Sequence, residues 1–331
     1  MALLKVSSLR KYFAVKKGLM TKPLLVRAVD GVDFSLDEDR IFALVGESGC
    51  GKSTVARLVL RLIPPTSGDV LFQGMNIFGF NGGALKAFRK SVQIIFQDPF
   101  ASLNPRKSIM DTISEPLKIH RIVEKNRLKD RVVELLNKVG LGSDILYRYP
   151  HELSGGQRQR VCIARTLVVS PKVIVADEPL SALDVSIQAQ ILNLLQELKR
   201  EYKISFLFIS HDLRVVHYFS DTIGVMYLGK IVEYAKTEDL FGEPFHPYTG
   251  VLLSSAPVIP TSGTTHYAPR ITHHALRTIQ GEVPSPIEIP PGCPFHPRCP
   301  RRFEPCDKIV PVLKQVQDRE SAERLVSCHL F

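Results

Sequence analysis

The sequence predicts an α/β fold with a doubly wound sheet, in which helices cover both faces of mostly parallel strands. Mostly apolar residues run without alternation through 41–45, 173–176 and 204–209, as in strands that are buried on both faces. Helical patterns separate these runs, so strands and helices alternate along the chain. The first run also leads directly into a glycine-rich loop. These three observations favour a sheet whose strand ends carry a ligand site.

Length and composition indicate a folded protein that needs no membrane span. The 331 residues predict roughly two domains, and 44% of them are hydrophobic, which is enough for a sizeable core. The N-terminus lacks the apolar segment and small-residue cleavage site of a signal peptide. The best apolar run, 204–209, is far shorter than the roughly 18 residues of a membrane-spanning helix. We therefore expect a soluble, cytoplasmic protein.

The formal net charge is +10, which is compatible with binding to nucleic acid or to an anionic membrane surface. Lysine and arginine are scattered along the chain, however, and form no block. We interpret the charge as a basic solvated surface and expect no nucleic-acid partner.

The loop at 46–53 has the sequence GESGCGKS and fits the P-loop pattern G-x-x-x-x-G-K-[ST]. Glycines let its backbone wrap closely around phosphates, and the N-terminus of the following helix faces their negative charge. Lys52 is expected to reach the β and γ phosphates, and the Ser53 hydroxyl to bind Mg²⁺. The alternative is a glycine-rich turn without a ligand. The predicted nucleotide contacts are Gly46, Glu47, Ser48, Gly49, Cys50, Gly51, Lys52, Ser53 and Thr54.

The remaining elements are predicted from periodicity and breakers. Strands are expected at 9–13, 26–36, 70–72 and 92–96, and a helix at 55–62. The helical pattern from 108 to 139, with Gly140 as its C-cap, predicts a helical insertion in the α/β core. Later helices are expected at 158–168 and 187–198. Residues 224–233 with a short helix close the core, 246–249 begin a helical piece, and 257–300 are mostly loop.

Two carboxylates follow the strand at 173–176. Asp177 is placed to hold Mg²⁺ through water, and Glu178 to polarise an attacking water. A P-loop alone indicates only a nucleotide, whereas this pair predicts hydrolysis. The alternative is that Asp177 and Glu178 form only a solvated corner at the end of the strand. His211 follows the strand at 204–209, at the edge of the sheet where ligands bind.

In this order, the loop at 46–53, Gln97, the pentapeptide LSGGQ at 153–157, Asp177–Glu178, 181–184 and His211 resemble the motifs of the ATP-binding subunit of an ABC transporter. The resemblance covers about residues 5–245. It implies a P-loop NTPase core of the ABC ATPase kind, an antiparallel β subdomain, a helical subdomain and a Pro/Cys-rich tail. The implied domains are a nucleotide-binding core at 1–97 and 166–245, a helical subdomain at 98–165, and a tail at 246–331.

The resemblance also assigns roles to particular residues. Gln97 would contact Mg²⁺ and the attacking water, and Asp184 would lie in the loop that joins two half-sites. His211 would contact the γ-phosphate. An aromatic ring is expected to stack on adenine after the first strand; Tyr12 and Phe13 compete, and the spacing favours Phe13. The residues expected to face the ATP bound by a partner cassette are Ser154, Gly155, Gly156 and Gln157.

Within this family, the insert between Phe13 and Val26, the HPYT element at 246–249 and the segment 281–286 resemble the oligopeptide/dipeptide importers. This implies ATP-driven peptide import by a heterodimer with a second ATPase subunit, two membrane permeases and a substrate-binding protein. The expected location is peripheral, at the cytoplasmic face of the inner membrane. Nickel or another cargo, a non-transport ABC ATPase, and an iron-sensing regulator are the alternatives. Residues 261–279 match poorly and receive no function.

Six cysteines in a cytoplasmic chain argue against disulfides. Cys162 is interpreted as a small core residue. The tail contains Cys293, Cys299, Cys306 and Cys328. Four thiolates suit an iron–sulfur cluster or zinc, or these cysteines carry no ligand. The resemblance implies one [4Fe–4S] cluster. His296 and His329 could substitute as ligands, but we expect them to be bystanders.

Overall fold

The computed structural model describes residues 2–15, 23–255, 281–316 and 324–331. These residues divide into two compact units. The first unit comprises Asp37–Arg40 and Gly79–Ile209. The second comprises Ala2–Leu36, Ile41–Phe78 and the described residues of Ser210–Phe331.

The regular elements are numbered in chain order. The strands are β1 Ala2–Val15, β2 Leu24–Asp37, β3 Ile41–Val45, β4 Ser67–Phe72, β5 Met75–Asn76, β6 Val92–Ile95, β7 Val173–Asp177, β8 Ser205–Ser210, β9 Thr222–Tyr227, β10 Lys230–Lys236, β11 Lys314–Gln315 and β12 Leu325–Val326. The α-helices are α1 Lys52–Val59, α2 Gly82–Ser91, α3 Pro99–Ser102, α4 Ile109–His120, α5 Leu128–Lys138, α6 Gly155–Leu167, α7 Val185–Tyr202, α8 Leu213–Phe219, α9 Thr237–Gly242 and α10 Pro247–Ser255.

In the second unit, the N-terminal strands form an antiparallel sheet in the order β2-β1-β4-β5. Both β1 and β2 are 14 residues long, which is longer than the sequence predicted. Their alternation of buried and exposed residues is clear only where one face meets the core. Outside that region, backbone hydrogen bonds to neighbouring strands extend β1 and β2, but their side chains show no alternation of apolar and polar residues. A bulge between Ser7 and Arg10 interrupts the pairing of β1 with β4.

The second unit also contains the order β11-β12-β10-β9-β3. Strand β3 pairs in parallel with β9, whereas β9, β10, β12 and β11 pair antiparallel. Residues 224–233 therefore belong to a hairpin, which turns at Leu228 and Gly229 with φ values of 41° and 82°. Helix α1, which follows β3 and the loop, begins at Lys52 instead of residue 55. The sequence predicted a later start because the polar residues in the first turn of this helix do not show apolar periodicity.

In the first unit, β6, β7 and β8 pair in parallel. Every residue of β8 and the first four of β7 are buried, which confirms the expectation from their continuous apolar runs. The predicted helical insertion is also present, as α4 and α5. Arg121 separates them in a left-handed conformation, with φ 50°. Gly140 has φ 72° and follows α5 as the predicted C-terminal glycine.

The C-terminal segment at 324–331 is fastened to β10 through a buried charge pair. The Arg324 guanidinium donates to Glu233 Oε1 at 3.0 Å, and their side chains are 1% and 0% exposed. Glu233 also accepts from the backbone N–H groups of Phe245 and His246, each at 2.9 Å. The guanidinium lies 3.4 Å from the centre of the Phe245 ring, and that ring stacks on Phe331. The Glu233 carboxylate thus connects the segment at 324–331 with residues 245–246.

The range 257–300 was predicted to be mostly loop. Residues 256–280, including the whole of the poorly matching stretch 261–279, lie outside the described residues. The described remainder, 281–300, is irregular apart from a 3₁₀ turn at His296–Arg298. In the part of the chain that the structure describes, no helix has the length and apolarity needed to cross a membrane.

Arg324→Ala should lower the free energy of unfolding by about 3–5 kcal/mol, because the buried Glu233 carboxylate then loses its cation. The chain has no tryptophan, so chemical denaturation is followed by circular dichroism or tyrosine fluorescence. The control is Lys308→Ala, which breaks an exposed pair with Glu304 and should change stability by at most about 1 kcal/mol. Equal effects of the two substitutions would contradict this role of Arg324.

Candidate functional site

The predicted site residues are distributed over both units. The second unit holds Phe13, the loop at 46–54 and His211. The first unit holds Gln97, the signature residues 154–157, Asp177, Glu178 and Asp184.

The loop between β3 and α1 requires glycine at two of its positions. Gly46 has φ 149°, and a Cβ there would lie 2.2 Å from the Met226 carbonyl oxygen. Gly51 has φ 112°, and its Cβ would lie 2.1 Å from the Ala28 carbonyl oxygen. Any side chain at either position would displace the backbone. The loop therefore passes directly against other chain segments and ends at the N-terminus of α1, where backbone N–H groups can bind an anion.

Lys52 is buried, and its ammonium is held by the loop itself. Nζ donates to the carbonyl oxygens of Gly46 at 2.7 Å and Glu47 at 3.0 Å. The ammonium is thus present inside the loop, in reach of phosphates bound there. Burial raises the pKa of the neighbouring Cys50 thiol, with Lys52 opposing that shift. Cys50 is therefore a neutral thiol, and its carbonyl accepts from the Gly229 N–H at 2.9 Å.

Glu47 has contacts that the sequence did not predict. Its backbone N–H donates to the Tyr248 hydroxyl at 2.9 Å. Its carboxylate forms an ion pair with Arg298 at 2.7 Å. The available sequence signals were weak: Tyr248 belongs to the HPYT element, and Arg298 directly precedes Cys299.

The two aromatic candidates at the end of β1 differ in their surroundings. The Tyr12 hydroxyl donates to Asp30 Oδ1 at 2.5 Å, and the Arg27 guanidinium lies 6.0 Å from its ring centre. The Phe13 side chain is 38% exposed, with the Lys11 ammonium 5.1 Å from its ring centre. A planar ligand could therefore stack on Phe13 without breaking a hydrogen bond.

In the first unit, Gln97 and Glu178 are brought together. Gln97 Nε2 donates to Glu178 Oε2 at 3.0 Å. Gln97 follows β6, and Glu178 follows Asp177, the last residue of the neighbouring parallel strand β7. The φ of Glu178 is 47°, a strained value for this residue type, and its N–H donates to the Ile209 carbonyl at 2.9 Å. The half-buried Glu178 carboxylate is thus oriented by Gln97, an arrangement compatible with the expected general base.

The signature pentapeptide forms the start of α6. Ser154 is the N-cap, its Oγ accepts from the Gln157 N–H at 3.3 Å, and Gln157 Oε1 accepts from the Ser154 N–H at 3.0 Å. The helix was expected from 158 and begins at Gly155, because this reciprocal capping box fixes the first turn. A Cβ on Gly156 would lie 2.8 Å from Ile187 Cγ2, so glycine permits close packing of α6. The exposed helix N-terminus can bind an anion.

Asp184 and His211 both occupy positions between a strand or turn and a following helix. Asp184 is the exposed N-cap of α7, and its side chain makes no capping hydrogen bond. His211 is exposed and directly follows β8. Asp212, the next residue, caps α8 by accepting from the Arg214 N–H at 2.9 Å.

The four tail cysteines line one cavity in the second unit, together with His296 and His329. Burial, together with the nearby thiols of Cys328, Cys299 and Cys306, raises the pKa of Cys293 to about 11. Each histidine has one ring nitrogen beside a backbone carbonyl: Nδ1 of His296 and Nε2 of His329. Among the described residues, no group of three or more histidine, cysteine or acidic side chains is arranged to hold a metal ion.

Two family models match this chain. Residues 29–181 match the model described as ABC transporter. Residues 232–306 match the model described as oligopeptide/dipeptide transporter, C-terminal region. The second match includes the HPYT element and Cys293, Cys299 and Cys306.

Curated relatives match nearly the whole chain. It is 46% identical to the oligopeptide transport ATP-binding protein AppF of Bacillus subtilis (strain 168), over 99% of this chain and 97% of that protein. It is 46% identical to the dipeptide transport ATP-binding protein DppF of Haemophilus influenzae, over 98% and 96%. Among solved structures, the dimeric ATP-binding cassette MJ0796 bound to ADP and Pi has a TM-score of 0.63 at 26% identity, covering 71% of this chain and 98% of that chain.

Gly51→Ala should weaken phosphate-ligand binding about tenfold or more, because strain at this backbone conformation costs of order 1–3 kcal/mol and the new methyl group displaces the loop. Binding of a fluorescent ATP analogue to the purified chain measures the effect. The control is Gly79→Ala, whose Cβ would meet no atom within 4 Å and should leave the affinity unchanged. Unchanged affinity in Gly51→Ala would contradict the anion-binding assignment of the loop.

Proposed function

Because this chain belongs to the ATP-binding proteins of ABC transporters, in the oligopeptide/dipeptide family, we propose that it hydrolyses ATP to drive peptide import. The ABC ATPase fold and the ATPase class predicted from the sequence are confirmed by the comparisons. The observation that carries the activity is the contact of Gln97 with Glu178 at the end of a buried parallel strand. Peptide cargo is supported by the names of the relatives and by the C-terminal family match.

For ATP binding, we assign the phosphates to the loop at 46–54 and the adenine to Phe13. The buried Lys52 supplies a fixed positive charge at the β and γ phosphates, and His211 contacts the γ-phosphate. When bound, Mg²⁺ would supply positive charge that neutralises the phosphates. Ser53, Gln97 and Asp177 would hold this ion; a hydroxyl, an amide oxygen and a carboxylate are the oxygen donors that Mg²⁺ prefers. The domain division at 1–97 with 166–245, 98–165 and 246–331 is part of this proposal.

For hydrolysis, we assign Glu178 as the base that takes a proton from the attacking water. Gln97 orients both the carboxylate and the water, since its amide can donate to one and accept from the other. The positive φ of Glu178 supports this role, because strained conformations concentrate at sites whose geometry matters. The products are ADP and phosphate.

The complete site is proposed to form in a dimer of two cassettes. Ser154, Gly155, Gly156 and Gln157 present the exposed N-terminus of α6 to the γ-phosphate held by the other cassette. Asp184 would connect the two half-sites. The relative MJ0796 was solved as a dimer, which supports such an arrangement. We propose that the second cassette is a homologous ATPase subunit, so the pair is a heterodimer.

The membrane partners follow from the same proposal. Two permease subunits would form the translocation path, and a substrate-binding protein would deliver the peptide. The chain would act peripherally at the cytoplasmic face of the inner membrane. Gln97 begins the segment that leads through α3 into the helical insertion of α4 and α5, so movement there can be coupled to the ATP site.

The tail is proposed to hold one [4Fe–4S] cluster through Cys293, Cys299, Cys306 and Cys328. This proposal is supported by the four soft thiol donors that line one cavity, the donor type that iron–sulfur clusters take. The cluster would supply order to a tail segment that contains little regular structure. ATP hydrolysis needs no electron carrier, so we assign the tail no catalytic step.

Glu178→Gln should keep ATP affinity within about twofold and lower the turnover about 10²–10⁴-fold, the usual contribution of a general base. The assembled transporter is assayed for phosphate release and for a trapped closed dimer. Glu197→Gln, on an exposed position of α7, is the control and should leave turnover unchanged. Wild-type turnover in Glu178→Gln would refute the base assignment.

Anaerobic purification should give brown protein with about four iron per chain, as measured by visible absorption and metal analysis. Changing any one of the four tail cysteines to serine should remove the colour and most of the iron. Cys162→Ser, in the buried first-unit helix α6, is the matched control and should retain both. Colourless protein with zinc, or with no metal, would overturn the cluster and leave the ATPase assignment intact.

A further inference from the structure

The phosphate-binding loop and the cysteine-rich tail meet at a two-pronged ion pair within the second unit. Arg298 Nη1 donates to Glu47 Oε2 at 2.7 Å, and Nη2 donates to Oε1 at 2.9 Å. The side chains are 6% and 22% exposed. A bidentate guanidinium–carboxylate pair fixes both position and orientation, which a lysine cannot do. Glu47 is the second residue of the loop, so this pair acts directly on the loop.

An aromatic cluster of Tyr227, Tyr248 and Phe295 contacts the ion pair of Arg298 and Glu47. The Arg298 guanidinium lies 5.9 Å from the centre of the Tyr227 ring, and Nη1 is 3.4 Å from the Tyr227 hydroxyl. The rings of Tyr227 and Tyr248 are 4.7 Å apart, and Phe295 packs against both. The Tyr248 hydroxyl accepts the Glu47 N–H. Backbone and side chain of Glu47 are therefore both fixed by residues outside the loop.

The position of Arg298 depends on the fold of the tail. Arg298 ends the 3₁₀ turn that lies between Cys293 and Cys299, and its N–H donates to the Phe295 carbonyl at 3.0 Å. The Cys293 N–H in turn donates to the Cys306 carbonyl at 2.8 Å. Loss of order around these cysteines would therefore withdraw the guanidinium from Glu47.

We propose that the C-terminal tail controls the affinity of the phosphate-binding loop, with Arg298 as a positioning residue that acts through Glu47. The electrostatic reason is that a carboxylate within this loop repels the anionic phosphates unless a cation compensates it. Arg298 supplies that cation and holds the carboxylate in one orientation. Because coupling between two sites is reciprocal, nucleotide binding also stabilises the tail. The inference rests on the proposed nucleotide function of the loop.

Affinity for Mg-ATP is measured on the purified full chain. Arg298→Ala should weaken it about five- to tenfold, within the usual range of coupling between sites. Arg298→Lys should recover part of the affinity, since it restores the charge without the bidentate geometry. Arg302→Ala, at an exposed position in the same segment, is the matched control and should leave the affinity unchanged.

A charge-rescue experiment separates positioning from a merely structural role. Adding Glu47→Gln to Arg298→Ala removes the repelling carboxylate and should bring the affinity back to within about twofold of wild type. Loss of folding alone would not be reversed by this second change. In the assembled transporter, Arg298→Ala should raise the KM for ATP and leave kcat within about twofold, because Glu178 is not affected.

The reciprocal arm measures hydrogen exchange at residues 293–306 with and without Mg-ATP. Wild type should show slower exchange with the nucleotide, and Arg298→Ala should lose this protection. Equal affinity and equal protection in wild type and Arg298→Ala would overturn the coupling while leaving the ATPase assignment intact. Absence of Mg-ATP binding to the wild-type chain would instead overturn the proposed function itself.

Discussion

The loop that we propose to bind phosphate packs closely against neighbouring backbone, and this packing is the constraint on which the second unit depends. At Gly46 and Gly51 there is room for a hydrogen atom but not for a Cβ, because carbonyl oxygens of Met226 and Ala28 lie where that carbon would be. These carbonyls belong to β9 and β2, so both strands border the loop closely and make glycine necessary at its two positions.

Charge compensation is the second theme of this unit. The buried Lys52 ammonium rests on loop carbonyls, and the buried Glu233 carboxylate is neutralised by Arg324. Arg298 likewise neutralises the Glu47 carboxylate. Each charge would be costly if it were left alone at low dielectric. Lys52 is held by carbonyls of its own loop, whereas Arg324 and Arg298 come from the tail and attach it to β10 and to the loop.

In the first unit, the pairing of parallel strands determines where the proposed catalytic side chains of Gln97 and Glu178 lie. Gln97 and Glu178 follow adjacent strands, and parallel pairing places the ends of adjacent strands at the same edge. Their contact at 3.0 Å follows from this geometry. The unusual φ of Glu178 is maintained because its N–H is bonded to the Ile209 carbonyl of β8. A strained but immobile carboxylate suits a role in which orientation matters more than flexibility.

The sequence by itself determined the parallel strands, the loop, the helical insertion and the choice of candidate site residues. These features depend on local patterns: continuous apolar runs, required glycines, and motif residues at short spacing. The tertiary structure alone decided the true start of α6 and the contact between Gln97 and Glu178. It also decided the pairing of Glu47 with Arg298 and the gathering of the tail cysteines at one cavity. These contacts join residues far apart in the chain, and only the packing of the intervening elements can bring such residues together.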